Sequence, residues 1–352
     1  MKRKISGRFT GILASVCLLL GGCGNIEPGQ VKKVDTAMGT VIQQNLYVLG
    51  EEDYCGEILA LLEELEWREL SWRLDTSQVY GINHATGEEG IPVTAKMADI
   101  LDRCLELYQC STGAFDVTMG TVVRLWDIDR YAADAEEGFR IPDKQELEAA
   151  LSGCGSDKLR LVRLEPEEGG IQGMAAKLYR PEGMQLDLGA VGKGIALTRI
   201  QEYLRGEPDI TGAVISVGGS ILTYGGKPDG SSFRVGIRDP VDPSRNIGVL
   251  VLEGDWCIST SGDYERYVEV EGVRYHHLLD PSTGYPAHSG VRSVTVLAED
   301  GFLSDGLSTA CFILGAEKGM ELAAAYGAEV LFVLDGGKIQ MSPGMKACFQ
   351  EG

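Results

Sequence analysis

Three of the four histidines, His276, His277 and His288, fall within thirteen residues of one another. Imidazole is the side chain best suited to move a proton near neutral pH. The run His277-Leu278-Leu279-Asp280-Pro281-Ser282-Thr283-Gly284 follows. Its Asp-Pro-x-Thr-Gly stretch reads as a rigid turn that would fix the neighbouring histidine. A solvent-exposed histidine beside a turn is the plainer alternative, and the clustering favours chemistry. Further on, Asp305 and Thr309 are four residues apart in Ser304-Asp305-Gly306-Leu307-Ser308-Thr309. That spacing puts a carboxylate and a hydroxyl on one helix face, a hard-oxygen pair suited to Mg²⁺. The same residues also read as an N-cap and first turn.

Four other clusters sit at the ends of expected elements. Asp187-Leu188-Gly189-Ala190-Val191-Gly192-Lys193-Gly194 is a glycine-rich turn opening a helix. Such a turn presents N–H groups to a phosphate, or simply turns tightly. It has neither the dinucleotide-binding glycine spacing nor the Ser or Thr that closes a Walker A loop. Thr112-Gly113-Ala114-Phe115-Asp116 follows a helix, with Gly113 as its C-cap. There Phe115 could cover a planar ring and Asp116 accept a hydrogen bond, or the segment is a capped turn with a core Phe. Gly218-Gly219 permits either close backbone approach or a hairpin. Thr260-Ser261-Gly262-Asp263-Tyr264 completes the set.

The elements that must position these groups are legible from periodicity. Alternation marks a strand at Thr40 to Val48, and apolar residues at helical spacing mark helices at Glu51 to Leu70 and Thr94 to Cys110, with Thr94 as cap. A further helix is expected at Asp143 to Leu151. Strands are expected at Arg160–Leu164, Ala176–Tyr179, Met184–Leu188, Ala213–Val217, Phe233–Arg238, Val249–Leu252, Trp256–Thr260, Arg266–Val270, Val291–Leu297 and Glu329–Leu334. Helices fit Gly192–Arg205, Ser304–Leu314 and Ala316–Tyr326. Strand runs mixed with helices, without strict alternation, predict an α+β fold of mixed sheets with flanking helices.

Lys2, Arg3, Lys4 and Arg8 precede a short apolar run, Ile12 to Leu20, and then Gly21-Gly22-Cys23. This is a lipoprotein signal in form: the run is too short to span a bilayer permanently, and Cys23 offers a thiol for a diacylglycerol. The expected organisation is a signal at 1–22, a lipid-anchored tether at 23–33, one domain at 34–345 and a tail at 346–352. The chain would then sit on the extracytoplasmic face of the cell membrane. A formal net charge of −20 argues against nucleic acid as a partner. The seven cysteines that follow Cys23 are scattered and odd in number, which is no disulfide framework, and without a CxxC pair they argue against zinc.

In order, Ala37-Met38-Gly39-Thr40, Ser71 to Asn83, Gly113-Ala114-Phe115-Asp116, the turn from Asp187 to Gly194, Gly218-Gly219, Thr260 to Tyr264, His277 to Gly284 and Asp305 to Thr309 resemble the FAD:protein FMN transferase family, also called ApbE. The resemblance runs from about Val34 to Leu334. It implies two intimately joined lobes that bind FAD in the cleft between them. Met38, Ala114, Phe115, Asp116, Asp187, Lys193, Gly218, Gly219, Ser261 and Gly262 match cofactor-side positions. Asp305, Thr309, Ser308 and the Ala190 carbonyl match the metal side, with Mg²⁺ as the ion, and His277 matches the catalytic base. The implied reaction moves FMN from FAD to a threonine of an acceptor protein, such as a membrane redox subunit, and releases AMP. Ser216, Trp72-Arg73 and Ser308 depart from the common pattern. Two rival readings use the same residues: Mg²⁺-dependent hydrolysis of FAD to FMN and AMP, and a lipoprotein that only binds flavin.

Overall fold

The computed structural model describes residues 28–85, 89–134, 138–164, 173–242 and 244–352. The signal segment and Cys23 lie outside the described residues. Eight antiparallel strands form the main sheet, in the order Gly29–Ala37, Thr40–Val48, Ile210–Val217, Ser220–Gly225, Trp256–Gly262, Val291–Ala298, Glu329–Leu334 and Ile339–Met341. One face packs against the helices Tyr54–Leu65, Gly192–Gly206 and Gly301–Leu314. Ile42, Ile58, Leu197, Val294 and Phe302 meet there in one core cluster. The other face is covered by a three-stranded sheet of Phe233–Arg238, Asn246–Leu252 and Phe349–Glu351, through Tyr47, Phe233, Leu250, Ile258 and Leu331. The two faces are read out by strand alternation: Phe233–Arg238 is buried at every second residue.

A second lobe is built on the helix Ala95–Cys110 and a small sheet of Ile91–Thr94, Met174–Tyr179 and Arg160–Arg163. Thr94 caps that helix as expected, its hydroxyl accepting from Met97 N–H at 3.3 Å. Met97, Leu101 and Cys104 belong to the same core cluster as the main sheet, so the two lobes share one apolar interior. A third cluster gathers Val122, Trp126, Ile128 and Leu147 beside the cleft. The helix at Lys144–Ser152 carries a full capping box between Asp143 and Glu146.

Three expectations change. Gly29–Ala37 pairs along its whole length with Thr40–Val48, so residues 29–33 belong to the sheet rather than to a tether. Its polar sequence hid it; backbone pairing makes it an edge strand. The residues read as a tail form the end of a short helix, Pro343–Cys348, and a strand that pairs with Asn246–Leu252. Met184–Leu188 is extended but joins no sheet beyond one bridge, Met119 to Gln185. Instead, Asp187 N–H donates to Val117 O at 2.8 Å. The buried Asn83 amide brackets Leu186, accepting at 2.7 Å and donating at 2.9 Å. Side-chain bonds thus satisfy a backbone that a ladder would otherwise have satisfied, and the turn after Asp187 is left facing the cleft.

Two helix termini approach unusually closely. A Cβ on Gly194 would lie 2.2 Å from Gly301 O, and one on Gly301 would lie 2.3 Å from Gly194 O. Glycine at both positions lets the helices Gly192–Gly206 and Gly301–Leu314 touch backbone to backbone. The contact sets Lys193 beside Asp305.

Candidate active site

A cleft of about 480 Å³ opens between the lobes, within the usual size range of small-molecule sites. It is lined by Met38, Ala114, Phe115, Asp116, Asp187, Ala190, Lys193, Gly218, Gly219, Ser261, His277, Asp305 and Thr309. These come from segments spread over the whole chain, and most of the residues singled out above meet here.

Asp305 lines the cleft. The helix that carries it begins at Gly301 with Asp300 as N-cap, so Asp305 is interior to the helix and not its cap. The residue is 3 % exposed. Oδ2 accepts from Gly194 N–H at 2.8 Å, and Oδ1 lies 3.6 Å from Lys193 Nζ. A buried carboxylate needs such partners, because desolvation of an unpaired charge is costly. With the Thr309 hydroxyl and the Ala190 carbonyl on the same cleft, the oxygen set fits a hard divalent cation that retains open positions for substrate oxygens. Ser308 does not join them. It is fully buried, donates to Asp305 O at 2.8 Å and pairs with Ser261 Oγ at 2.7 Å. Gly262 lies behind the cleft wall, where a Cβ would strike the Tyr264 ring at 2.4 Å.

On the same cleft, the backbone holds His277 by an N–H to Arg266 O bond of 3.1 Å, and its Nδ1 lies 3.3 Å from the same oxygen. A carbonyl only accepts, so Nδ1 carries the proton and Nε2 keeps its lone pair. Desolvation in the cleft, then the charges of Arg266 and Lys193, hold the imidazole well below the usual histidine range, and hence neutral. The rigid turn is present: Asp280 Oδ1 accepts from Ser282 N–H at 2.8 Å, and Gly284 takes a φ of 73°. The histidine cluster itself dissolves. His276, the residue before it, does not line the cleft and is 4 % exposed, and the exposed His288 ring lies 6.4 Å from it. His276 is the buried last residue of the strand Val273–His276, and His277, just past the strand end, lines the cleft.

The rest of the cleft wall suits a planar, charged ligand. Met38 adopts a left-handed φ of 53° in the hairpin turn, where Glu66 accepts its N–H at 2.8 Å. Phe115 is 1 % exposed, and Asp116 Oδ1 is fully engaged by Thr118 and Ser156, which aims the carboxyl group. Burial raises the Asp187 carboxyl; the Gly189 N–H, at 2.7 Å, opposes the shift. The Gly218-Gly219 pair is both things foreseen for it, a hairpin turn and a bare patch of cleft wall.

Several lining residues escaped the sequence reading. Glu66, Asp129, Glu265 and Arg266 line the cleft. Burial pushes the Glu265 carboxyl up, against the charges of Lys193 and Arg266. The position of Glu265, one residue after the Thr260–Tyr264 run, was the available signal. Asp129 had none, because only the fold brings it to Arg266, at 2.7 Å.

Oxygen donors and a cation, with a neutral imidazole on the same cleft, are the equipment of phosphoryl-group chemistry. The chain belongs to the ApbE family, whose sequence model matches residues 38–332. It is 32% identical to an FAD:protein FMN transferase from Treponema pallidum, over 95% of this chain and 93% of that one. A Vibrio cholerae protein of the same name is likewise 32% identical, over 92% of each. Among solved structures, the ApbE protein of Thermotoga maritima superposes with a TM-score of 0.77 at 29% identity, covering 92% of this chain and all of that one. The flavin transferase ApbE of Vibrio cholerae gives 0.76 at 30% identity, over 91% and 99%. The α+β architecture expected from the sequence is the fold of these relatives.

Proposed function

We propose that this chain is an FAD:protein FMN transferase that joins FMN to a threonine hydroxyl of an acceptor protein and releases AMP. The observation that carries the reading is the meeting of His277 with Asp305 and Thr309 on a single cleft. The acceptor hydroxyl attacks the FMN-side phosphorus of bound FAD. The bond from that phosphorus to the bridging oxygen breaks, and AMP leaves with the oxygen. The hydroxyl is a weak nucleophile, and His277 Nε2 takes its proton. Phe115 and Met38 confine the planar part of the substrate, and Asp116 and Asp187 offer acceptors to its polar edges. Lys193 balances phosphate charge at the helix start. Asp305, Thr309 and the Ala190 carbonyl would hold a Mg²⁺ ion, which supplies positive charge against the pyrophosphate oxygens when bound.

The form of the first 23 residues supports a lipid anchor at Cys23 on the extracytoplasmic face, with a membrane redox subunit as the natural acceptor. Incubation with FAD, Mg²⁺ and an acceptor protein, read by mass spectrometry, tests the reaction. A covalent FMN adduct on threonine with equimolar AMP is expected. Free FMN with an unmodified acceptor would identify a hydrolase, and bound but intact FAD a carrier.

A further inference from the structure

Beside His277 the cleft continues into a hollow of about 30 Å³. His277, Trp72, Val123 and Leu279 border both spaces, whereas Arg124 and Ile128 border only the hollow. The hollow therefore opens onto the main cleft beside the imidazole. A water-sized probe occupies about 10–15 Å³, so the hollow has room for about two or three non-hydrogen atoms. That matches the side chain of threonine or serine and excludes anything much larger. Trp126 and Ile128 close the floor at 1 % and 4 % exposure, and Trp126 is pinned by its Nε1–H bond to Gly284 O at 2.7 Å.

Arg124 supplies a second, independent feature. Its guanidinium lies 4.6 Å from the Trp72 ring centroid, on a ring that Arg73 also stacks upon at 4.1 Å. Arg73 is drawn to Asp129, at 3.8 Å, and Asp129 also binds Arg266. Arg124 has no hydrogen bond or ion pair of its own among the described residues. A half-buried guanidinium keeps five N–H donors in a planar fork; the Asp187 charge acts on this one, but none of its donors is hydrogen-bonded among the described residues. Carbonyl oxygens of an extended peptide would satisfy them.

We infer that this hollow is the acceptor subsite: it takes the hydroxyl-bearing side chain of the acceptor segment, while Arg124 holds the adjoining main-chain carbonyls. The inference rests on the transferase reading above and adds where the second substrate enters. In-line displacement puts the nucleophile opposite the departing AMP. A hydroxyl in the hollow lies beside His277 Nε2 and faces the main cleft, where the phosphorus of bound FAD sits. The new P–O bond forms to the acceptor oxygen, its proton passes to Nε2, and the old P–O bond breaks toward AMP.

The test uses the enzyme with FAD, Mg²⁺ and an unstructured peptide bearing one threonine flanked by glycines. Three variants are compared with wild type: Arg124→Met, Ile128→Phe, which fills the hollow, and Ile128→Ala, which enlarges it. Arg124→Met should raise the KM for the peptide on the order of 10- to 100-fold, the usual worth of hydrogen bonds from a charged donor. Its affinity for FAD, read by flavin fluorescence, should stay within about twofold of wild type, as expected of a side chain outside the main cleft. Ile128→Phe should abolish adduct formation and leave FAD binding intact. Ile128→Ala should accept a peptide in which a bulkier hydroxyl residue replaces threonine. A KM for peptide unchanged in Arg124→Met, or a loss of FAD affinity in step with transfer, overturns the subsite. Absence of any adduct with the wild-type enzyme overturns the transferase reading as well, which separates the two failures. Should Ile128→Phe not fold, Arg124→Met carries the decision alone.

Discussion

Gly194→Ala tests the geometry most directly, because the change adds one carbon and no charge. That carbon would lie 2.2 Å from Gly301 O and 2.6 Å from Asp305 Cβ. Ordinary contact needs about 3.5 Å, so the two helices must separate by about 1 Å. Overpacking of this kind costs about 1–3 kcal/mol, partly offset by the better helix propensity of alanine, about 1 kcal/mol. The net loss should lower Tm by a few degrees. The larger effect falls on catalysis. Gly194 N–H is the donor that fixes Asp305 Oδ2 at 2.8 Å, and Lys193 precedes it in the chain. Moving that group by about 1 Å should reduce turnover on the order of 100-fold. Thermal unfolding followed by circular dichroism and AMP release followed by chromatography give both numbers on one preparation. Wild-type turnover with an unchanged Tm would show that the helix contact does not set the carboxylate, and the account of the site would fail.

Asp305→Asn keeps the shape and can still accept from Gly194 N–H, so Tm should change little while AMP release falls by at least about 100-fold; Mn²⁺ binding followed by electron paramagnetic resonance should weaken in parallel. His277→Gln should bind FAD normally and lose transfer by about 100- to 10,000-fold, the usual worth of a general base; near-normal rates would remove the residue from the mechanism. Because His277 is held neutral below the usual range, the rate should stay flat through neutral pH and fall only on acidification, as a pH–rate profile will show. His276 gives a separate stability signal: burial first, opposed by Asp263, lowers it from 6.5 to about 4. Its folded pKa lies below its unfolded one, so the unfolded chain binds the extra proton in that window. Stability should be complete above about pH 6.5 and decline by up to about 3 kcal/mol as pH falls toward 4. Urea unfolding across that range should show the decline, and His276→Gln, which keeps a donor for Ala287 O, should flatten it.

The local chemistry of this protein was legible in its residues. Thr94 announced a helix start, the run from Asp143 to Leu151 a helix, and alternating side chains the strand Thr40–Val48. The spacing of Asp305 and Thr309 put both on one helix face, and both do reach the cleft. Such signals work because caps, turns and periodicities involve residues only a few positions apart. The tertiary structure decided what depends on distant partners. It set His277 on the cleft and His276 off it, buried Asp305 one turn inside its helix, and spent the Ser308 hydroxyl on Ser261. It recruited Gly29–Ala37 and Phe349–Glu351 into sheets, although neither carries an apolar alternation of its own. The bonds responsible span the chain: Gly194 to Asp305 is 111 residues, Asn83 to Leu186 is 103, and Trp126 to Gly284 is 158. A sequence states which groups exist and how each segment prefers to run. Which of them converge is set by the shared core, because only burial against distant segments offsets the loss of chain entropy needed to bring them together.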